Sequence, residues 1–424
     1  MDIIIVGAGI AGLSAGIALR RAGHKVTILE QSALLQETGA AISIAPNASP
    51  VLQSWGFDIA HSRMVGIKTG SILNGTSMQM VVPNYYVHIE ENYGAPIYSV
   101  HRVDLHDQLK ALATGESGSG QPCKLHVRAP VVDYDAEHAK VTTADGTVRQ
   151  ADLIIAANGV HSTAREHVVI TDKSDVNDTG WASMRWLVPT EELLADPETA
   201  PLVEDSTQRY FIGARGGGLV WYPCRNNEVQ NFLYLSQSFA SENITEDYQA
   251  GIEPTMVMDY AKNEYSPALQ AVLAKARDVR FWKLVARGPL PSWRKDSLVL
   301  IGDAAHPMLT FQAQGGGQAI EDAAVLGILL DQVHDKATLD ARLDLYEMIR
   351  KGRGSAIQTL SNSAPPMPQS VRDTALKYLP EGTKLENQDD IIKVMFSYDV
   401  ISEAKTVLAA HLNGQTTEAR LCSQ

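Results

Sequence analysis

A glycine-rich stretch near the start of the chain has the residue types and spacing of a phosphate-binding turn. It is the run Gly7-Ala8-Gly9-Ile10-Ala11-Gly12. One glycine makes a tight turn, one lets the backbone approach a pyrophosphate, and one lets a helix pack closely on a strand. Glu30 follows 18 residues after Gly12, and its carboxylate can accept hydrogen bonds from a ribose. Together these residues predict a dinucleotide site.

The elements that must position this motif are a strand, a helix and a second strand. Residues 3–6 are continuously apolar, as in a strand buried in a parallel sheet. Residues 13–21 suit a helix that ends at Gly23, and residues 25–29 suit the next strand. The helix N-terminus offers free N–H groups and partial positive charge to phosphates. No second motif of this kind occurs in the sequence, which argues against two Rossmann domains that each hold a dinucleotide.

The rest of the chain predicts an α/β protein assembled from separated segments. Residues 70–97 look strand-like and carry no helix signal, and residues 124–150 resemble a β-meander. Buried strands return at residues 153–156 and 297–301, on either side of alternating segments that indicate an antiparallel sheet. Residues 336–424 look mostly helical, broken by prolines at 365, 366 and 368. We therefore expect a Rossmann-like domain with an inserted antiparallel β-sheet and a helical C-terminal tail.

Composition and charge exclude several classes of protein. The 424 residues include 36 Lys and Arg against 49 Asp and Glu, a net charge of −13. Nucleic acid and anionic membrane surfaces are disfavoured as partners, because both require basic protein surface. The three cysteines form no CxxC pair, and His101 and His106 have no third ligand at metal-site spacing, so no metal site is predicted. No stretch has the length and apolarity of a membrane span, and we expect a cytoplasmic protein.

Two further blocks carry chemistry. The first runs from residue 151 to 162 and contains Asn158-Gly159, with Arg165 after it. The second contains Gly302-Asp303-Ala304-Ala305-His306-Pro307 and, after it, Gln314-Gly315-Gly316-Gly317. With the first motif, these blocks resemble, in order and spacing, the single-component flavin monooxygenases of the para-hydroxybenzoate hydroxylase fold. The resemblance covers about residues 1–355 and is nearest to the salicylate-hydroxylase-like and fungal secondary-metabolite hydroxylases.

The resemblance implies FAD as the cofactor. In that family the first block, from Gly7 to Glu30, holds the ADP half, and the block around Asp303 holds the ribityl and flavin half. A carboxylate just after a buried strand lies where α/β proteins bind ligands. The N-terminus of the following helix, near Gly315, Gly316 and Gly317, would face the flavin edge that becomes negative on reduction. Arg102 matches the family arginine that contacts FAD, and Ala41 and Ser43 lie in the flavin-facing loop.

The resemblance also implies a domain division and a substrate side. The FAD-binding domain would comprise residues 1–70, 98–175 and 285–355, the substrate domain 71–97 and 176–284, and the helical C-terminal region 356–424. Arg185 and Tyr222 match segments that point into the active site of the family, so we expect both to be catalytic. An arginine stabilises a phenolate and a tyrosine adds a directed hydrogen bond. His306 lies inside the flavin-binding turn, which favours a packing role.

The sequence departs from the family pattern at two positions. The middle block usually has Asp-Gly, whereas here it is Asn158-Gly159. Asn keeps the hydrogen-bonding shape but lacks the charge, which affects a block associated with both FAD and the nicotinamide coenzyme. Thr310 precedes the Phe-Gln-Ala-Gln run, where the family usually has proline. The loop beside the flavin is therefore expected to be less rigid or differently shaped.

The predicted reaction is hydroxylation of a small electron-rich aromatic, phenolic substrate with O2. NADPH or NADH would act as a transient co-substrate, and the resemblance implies a C4a-hydroperoxyflavin as the oxygen donor. Epoxidation of an indole or alkene in secondary metabolism uses the same donor and stays open. So does a non-enzymatic binding module of related fold. A flavin halogenase is disfavoured because a WxWxIP motif is absent, and a plain NAD dehydrogenase leaves the Asp303 block unexplained. We expect a monomer or homodimer.

Overall fold

The computed structural model of the chain describes residues 1–33, 40–169, 176–237, 250–364 and 366–414. The parts of the predicted domains at 34–39, 170–175, 238–249 and 415–424, and Pro365, lie outside the described residues. The strands, in chain order, are β1 (Asp2–Val6), β2 (Lys25–Leu29), β3 (Ala41–Ile44), β4 (Val65–Ile67), β5 (Thr69–Asn74), β6 (Met80–Val82), β7 (Ile97–His101), β8 (Lys124–His126), β9 (Val131–Asp135), β10 (Lys140–Thr143), β11 (Val148–Gln150), β12 (Leu153–Ala156), β13 (Val176–Pro189), β14 (Thr207–Ile212), β15 (Gly218–Cys224), β16 (Val229–Ser236), β17 (Arg280–Arg287), β18 (Arg294–Lys295) and β19 (Leu298–Leu300).

Helices alternate with these strands and make up the C-terminal part. They are α1 (Ile10–Arg21), α2 (Ser49–Ser54), α3 (Ile89–Tyr93), α4 (Arg102–Thr114), α5 (Ala164–Val168), α6 (Thr190–Leu194), α7 (Thr255–Ala261), α8 (Pro267–Leu273), α9 (Gly315–Leu329), α10 (Lys336–Ser361), α11 (Gln369–Leu376), α12 (Gln388–Phe396) and α13 (Val400–Leu412). Within the described ranges, no helix is both long enough and apolar enough to cross a bilayer.

The N-terminal strand lies inside a six-stranded sheet with the order β18-β19-β12-β1-β2-β8. All neighbours run parallel except the edge pair β18 and β19. Residues 3–6 of β1 are buried, which explains their continuous apolar sequence. Helix α1 packs close to α9, since a side chain on Gly327 would overlap Ala18. Both helices follow strands of the parallel part of the sheet, β1 and β19, so their N-termini lie at the same end of the sheet.

A seven-stranded sheet with the order β17-β13-β16-β15-β14-β5-β6 forms the second layer. Along β13, side chains alternate between two faces. Met184 and Trp186 are buried in a cluster with residues of α7 and α8, while Trp181 contributes to a cluster that includes Leu309, from the chain that follows β19. One face of this sheet thus looks toward the six-stranded sheet and its loops.

The structure confirms the predicted fold class and corrects two details. Strand β5 pairs parallel to β14 rather than antiparallel, because the two strands come from distant segments and no hairpin links them. Residues 70–97 include helix α3, although no helix signal was recognised there. Glu90 and Glu91 lie in its first turn and Gly94 ends it in the left-handed conformation, which are the usual boundary signals of a helix.

Candidate active site

The glycine-rich turn joins β1 to α1 and has the shape that its sequence predicts. Gly7 has a φ of +104°, and a side chain there would collide with the carbonyl of Ala157. A side chain on Gly12 would overlap the Gly7 carbonyl. Gly9 differs from both, because no protein atom apart from its own chain neighbours lies within 4 Å of the position its Cβ would take. The turn is therefore closed toward the protein at Gly7 and Gly12 and open at Gly9.

Helix α1 starts at Ile10 without a side-chain cap and without an acidic residue in its first turn. Its first N–H groups carry partial positive charge toward the open side of the turn. The buried Glu30 carboxylate accepts hydrogen bonds from the backbone N–H groups of Ala8, at 2.7 Å, and Ser32, at 2.7 Å. A carboxylate has about four lone-pair sites, so Glu30 keeps acceptor capacity for a hydroxyl beside the turn.

Asp303 lies in a short 3-10 turn, Gly302–Ala304, just beyond β19. Gly302, with a φ of +57°, packs tightly, since a side chain there would press on Ala11 of α1 and Ala319 of α9. The Asp303 side chain reaches solvent, yet dense packing around the turn raises the pKa of its carboxyl, and His306, Arg102 and Arg165 oppose the rise. A polar acceptor surrounded by cations therefore lies at the carboxyl ends of the parallel strands.

Arg165 ties the Asn158-Gly159 loop to the Asp303 turn. Its Nε donates to the Ala304 carbonyl at 2.7 Å, and its Nη2 donates to the carbonyls of Asp303 at 2.5 Å and Gly159 at 3.3 Å. The Asn158 side chain lies on the other side of the loop, where Nδ2 donates to the Tyr134 hydroxyl at 3.1 Å. Asn158 thus holds its loop in place next to Gly7, with its Cα 3.0 Å from where a Gly7 Cβ would lie.

The N-terminus of α9 meets the same region. The helix has neither a side-chain cap nor an acidic residue in its first turn. A Cβ on Gly315 would lie 4.0 Å from Asp303 Oδ1. A Cβ on Gly316 would lie 3.8 to 3.9 Å from the side chains of Ile10, Ile42 and Ile44. Three separate segments, the start of α1, strand β3 and the start of α9, are thereby brought together.

Strand β3 lies between this region and the seven-stranded sheet. The buried Ala41 donates its N–H to Asn231 Oδ1 at 3.1 Å, and its carbonyl accepts from the Tyr222 hydroxyl at 3.0 Å. Ser43 is half-buried and pairs with Ser99 of β7. Arg102, also half-buried, donates its backbone N–H to the Ala40 carbonyl at 2.9 Å. The residues predicted to face the flavin therefore lie together, and two side chains of the facing sheet hold Ala41 among them.

The two residues predicted to be catalytic lie on the face of the seven-stranded sheet that looks toward β3. Arg185 is half-buried, and its guanidinium carbon lies 5.3 Å from the centre of the Trp282 ring. Leu233 lies beside Arg185 in the register, and Tyr222 lies one strand farther along the same sheet. The Tyr222 side chain is buried, and burial raises the pKa of its hydroxyl. Arg185 thus reaches the inter-sheet region, whereas the Tyr222 hydroxyl is already bonded to Ala41.

Sequence reasoning missed the apolar lining next to Arg185. Leu235, Trp282, Leu284 and Leu309 are buried in one cluster. At its edge the half-buried rings of Trp181 and Phe311 meet edge to face, with centroids 5.6 Å apart. The alternation of Trp181, Ser183 and Arg185 along one strand was the available signal, because residues two apart share a face. This lining adds flat aromatic surface to the Arg185 side.

His101 caps α4, and its Nδ1 accepts from the Val103 N–H at 3.3 Å. Burial, with Arg225 close by, lowers the pKa of His101 to about 4. The Asp104 carboxylate forms salt bridges with Arg63, at 2.9 Å, and with Arg225, at 2.8 Å. The second salt bridge connects α4 to the turn after β15. No group of His, Cys, Asp and Glu that could hold a metal ion occurs among the described residues.

The residues at this site fit an FAD molecule. No other part of the protein occupies the space next to Gly9, so a pyrophosphate can approach the backbone there. Two uncapped helix N-termini offer positive charge at separate points, and Glu30 and Asp303 supply hydroxyl acceptors beside each. These donors and acceptors match the phosphates, ribose, ribityl chain and electron-accepting ring edge of that cofactor.

Comparisons with known proteins agree with this chemistry. Residues 1–361 match the model of a family described as FAD binding domain. The chain is 59% identical to "FAD-dependent monooxygenase phomE'" of Diaporthe leptostromiformis, over 90% of this chain and 96% of that protein. It is 30% identical to "3-hydroxybenzoate 6-hydroxylase 1" of Aquipseudomonas alcaligenes, over 86% and 88%. The crystal structure of CtdE in complex with FAD and a substrate aligns with a TM-score of 0.79 at 23% identity, covering 98% and 100%, which supports the fold alone.

Proposed function

The chain belongs to the FAD-binding-domain family of FAD-dependent monooxygenases, and on this premise we propose that it hydroxylates a small electron-rich aromatic, phenolic substrate. The reaction consumes one O2 and one NADPH or NADH with a proton. One oxygen atom enters the substrate as a hydroxyl group, and the other leaves as water. The nicotinamide is oxidised, and the substrate carbon loses its hydrogen as a proton. The enzyme prediction is confirmed by the family, so the binding-module alternative was wrong.

The observation that carries the proposal is the meeting of two uncapped helix N-termini with the Asp303 turn, opposite a sheet face that carries a cation and aromatic rings. FAD supplies the oxygen-activating redox chemistry when it is bound. The protein's own groups bind, orient and exclude water. The name 3-hydroxybenzoate 6-hydroxylase describes a relative that acts on a phenol, and this supports the same substrate class here.

We assign the cofactor-binding roles as follows. The N–H groups of the turn from Gly7 to Gly12 bind the pyrophosphate, and Glu30 binds the ribose of the ADP half. Asp303 accepts a hydrogen bond from a ribityl hydroxyl. The remaining assigned residues line the flavin and its approach: Ala41, Ser43, Arg102, Asn158, Gly159, Gly315, Gly316 and Gly317. Buried backbone donors suit this task because they need no reorganisation when charge develops.

Arg185 is the residue that we assign to the substrate. A guanidinium remains charged at all relevant pH values, so it favours the phenolate form of a bound phenol. An ionised ring is richer in electrons and reacts faster with an electrophilic oxygen donor. The flat faces of Trp181, Trp282 and Phe311 would hold the ring in place.

Tyr222 was predicted to give the substrate a hydrogen bond. In this structure its hydroxyl donates to the Ala41 carbonyl, and donating a hydrogen bond to the substrate would require that contact to break. We therefore propose that Tyr222 acts on the site by holding strand β3, the flavin-facing strand, against the substrate sheet.

The nicotinamide would bind transiently, because the sequence has one dinucleotide motif and that motif is assigned to FAD. The proposed domain division keeps residues 1–70, 98–175 and 285–355 as the FAD part. The pairing of β5 and β6 with the seven-stranded sheet supports assigning 71–97 with 176–284 to the substrate part. We further propose a cytoplasmic monomer or homodimer.

Hydroxylation is tested with isotopically labelled O2 and a panel of phenols, indoles and alkenes. The purified protein is supplied with FAD and NADPH or NADH, and products are identified by mass spectrometry. A phenol that gains one labelled oxygen, with matching coenzyme consumption, supports the proposal. Labelled epoxides from an indole or alkene, with unreacted phenols, would favour the epoxidase alternative instead.

A further inference from the structure

A network of buried charged groups lies directly behind the Asp303 turn and takes no part in the roles assigned above. Its members are fully or almost fully buried, and they come from the flavin turn, α9 and α10: His306, Glu321, Asp322, Arg350 and Arg353. Charged groups at such depth require partners. The two carboxylates and two guanidinium groups balance each other in charge.

Asp322 connects this network to the flavin turn. Its Oδ2 accepts from the Gly302 backbone N–H at 2.8 Å and from His306 Nε2 at 2.6 Å. Its Oδ1 accepts from Arg350 Nε at 2.8 Å. Gly302 and His306 lie on either side of Asp303, so a single carboxylate holds both ends of the turn that carries Asp303.

The charge state of Asp322 suits this task. Burial raises the pKa of its carboxyl, but His306 and Arg350 outweigh burial, and the net effect lowers the pKa. An ionised carboxylate makes charge-assisted hydrogen bonds, which are about twice as strong as neutral ones. The ring of Trp293 packs against His306, with centroids 4.9 Å apart, and restricts its rotation.

We propose that Asp322 is a positioning residue for FAD: through Gly302 and His306 it fixes the turn that presents Asp303 to the ribityl and flavin half of the cofactor. The proposal rests on the FAD binding of the proposed function but not on its substrate. Removing Asp322 releases both ends of the turn, so Asp303 no longer holds its position. The ADP half, bound at the glycine-rich turn, should be unaffected.

The adjacent Glu321 provides a matched control. It is equally buried and also pairs with Arg350. Its other partners, however, are Arg353, at 2.8 Å, Asn47, at 2.6 Å, and Gln318, at 3.0 Å, rather than the flavin turn. Losing either carboxylate removes one charge from the same network. Only the loss of Asp322 removes contacts to Gly302 and His306.

The test compares Asp322→Ala with Glu321→Ala in the full chain stripped of FAD. FAD affinity is measured by fluorescence titration, ADP affinity by competition, and the melting temperature by circular dichroism. We expect FAD binding to weaken at least about tenfold more in Asp322→Ala than in Glu321→Ala, because only Asp322→Ala removes charge-assisted hydrogen bonds to the flavin turn. ADP affinity should stay within about twofold of that of the parent protein. Equal weakening of FAD by the two variants, or parallel weakening of FAD and ADP, would overturn the proposal.

Two further pairs keep the test decisive if an alanine variant does not fold. Asp322→Asn and Glu321→Gln keep the shape, remove the charge and replace one acceptor oxygen with an N–H donor, and we expect the same ranking with smaller factors. His306→Gln keeps an N–H donor near the Nε2 position, whereas His306→Leu removes it. FAD affinity should survive in His306→Gln and fall in His306→Leu; equal affinities for these two would count against the positioning role. These binding measurements contain no oxygenation substrate. A failure of the protein to hydroxylate phenols would therefore not affect their result.

Discussion

The two sides of the site are built by different physical means. On the cofactor side, backbone groups and fully buried charges hold the Asp303 turn, and Arg165 adds three hydrogen bonds to carbonyls around it. On the substrate side, half-buried side chains of two strands and a loop meet mainly through ring contacts, as Trp181 and Phe311 do. A ligand shared by a whole family can be recognised by backbone, because backbone geometry tolerates sequence change. A ligand that differs between relatives must be recognised by side chains.

Because the two sides are built differently, substitutions on the cofactor side and on the substrate side should affect different measurable properties. Substitutions on the cofactor side should alter FAD affinity before they alter substrate preference. Substitutions on the substrate face should change turnover and leave FAD affinity alone. The following predictions test this separation, from the largest expected effect to the smallest.

The largest effect is expected from Gly9→Ala. Its new methyl group meets no protein atom within 4 Å, so the apoprotein should keep its melting temperature within a few degrees. The methyl group would fill space assigned to the pyrophosphate, and we expect FAD affinity to fall roughly 100-fold, about 2.7 kcal/mol. Gly288→Ala is the control, since that position is exposed and equally open and has no assigned role in FAD binding. Unchanged FAD affinity in Gly9→Ala would place the cofactor elsewhere.

Arg185→Met should affect the substrate side alone. The methionine keeps much of the apolar length beside Trp282 but removes the charge. A hydrogen bond to a charged group contributes about 1.5–3 kcal/mol, so kcat/KM for a phenolic substrate should fall about 10- to 100-fold. FAD affinity should be unchanged. The role of Arg185 would be rejected if kcat/KM held steady, or if FAD affinity fell by the same factor.

Tyr222→Phe tests the link between the two sides. It removes the hydrogen bond to the Ala41 carbonyl, which should lower the free energy of unfolding by about 1 kcal/mol. Thr199→Val is a control of similar cost, because the Thr199 hydroxyl also bonds a buried carbonyl, that of Leu193 at 2.6 Å, but away from the flavin-facing strand. Only Tyr222→Phe should also change the visible spectrum of bound FAD or the KM for substrate. Identical behaviour of both variants in these readouts would leave Tyr222 with no part in the site.

The last prediction has the smallest expected effect on either ligand, because it concerns the pH dependence of stability. Burial, with Arg225 next, lowers the pKa of His101 from 6.5 to about 4. Between these values the unfolded chain binds the proton and the folded chain does not, so stability present above pH 6.5 is lost as the pH falls toward 4. His101→Asn keeps a side-chain acceptor for the helix cap and should flatten this dependence in urea unfolding. A pH dependence in His101→Asn equal to that of the parent protein would contradict the role of His101.

The sequence was most informative where function depends on local backbone. Gly7 to Gly12 and the Asp303 turn lie at the ends of strands, as their neighbouring residues predict. The hydrogen bond between Tyr222 and Ala41 joins residues 181 positions apart, and the sequence around neither residue predicts it. The partners of Asp322 were hidden for the same reason, although the residue lies only five positions after Gly317. Helix α3 was missed because its boundary residues were outweighed by the apolar and aromatic residues around it.

The measurement that tests the account most directly is a visible absorption spectrum of the purified protein after incubation with FAD and removal of free cofactor. We predict a bound flavin band that NADPH or NADH bleaches without oxygen and that air restores. A protein that stays colourless after this treatment would contradict the assignment of the glycine-rich turn, the Asp303 turn and the start of α9 to FAD.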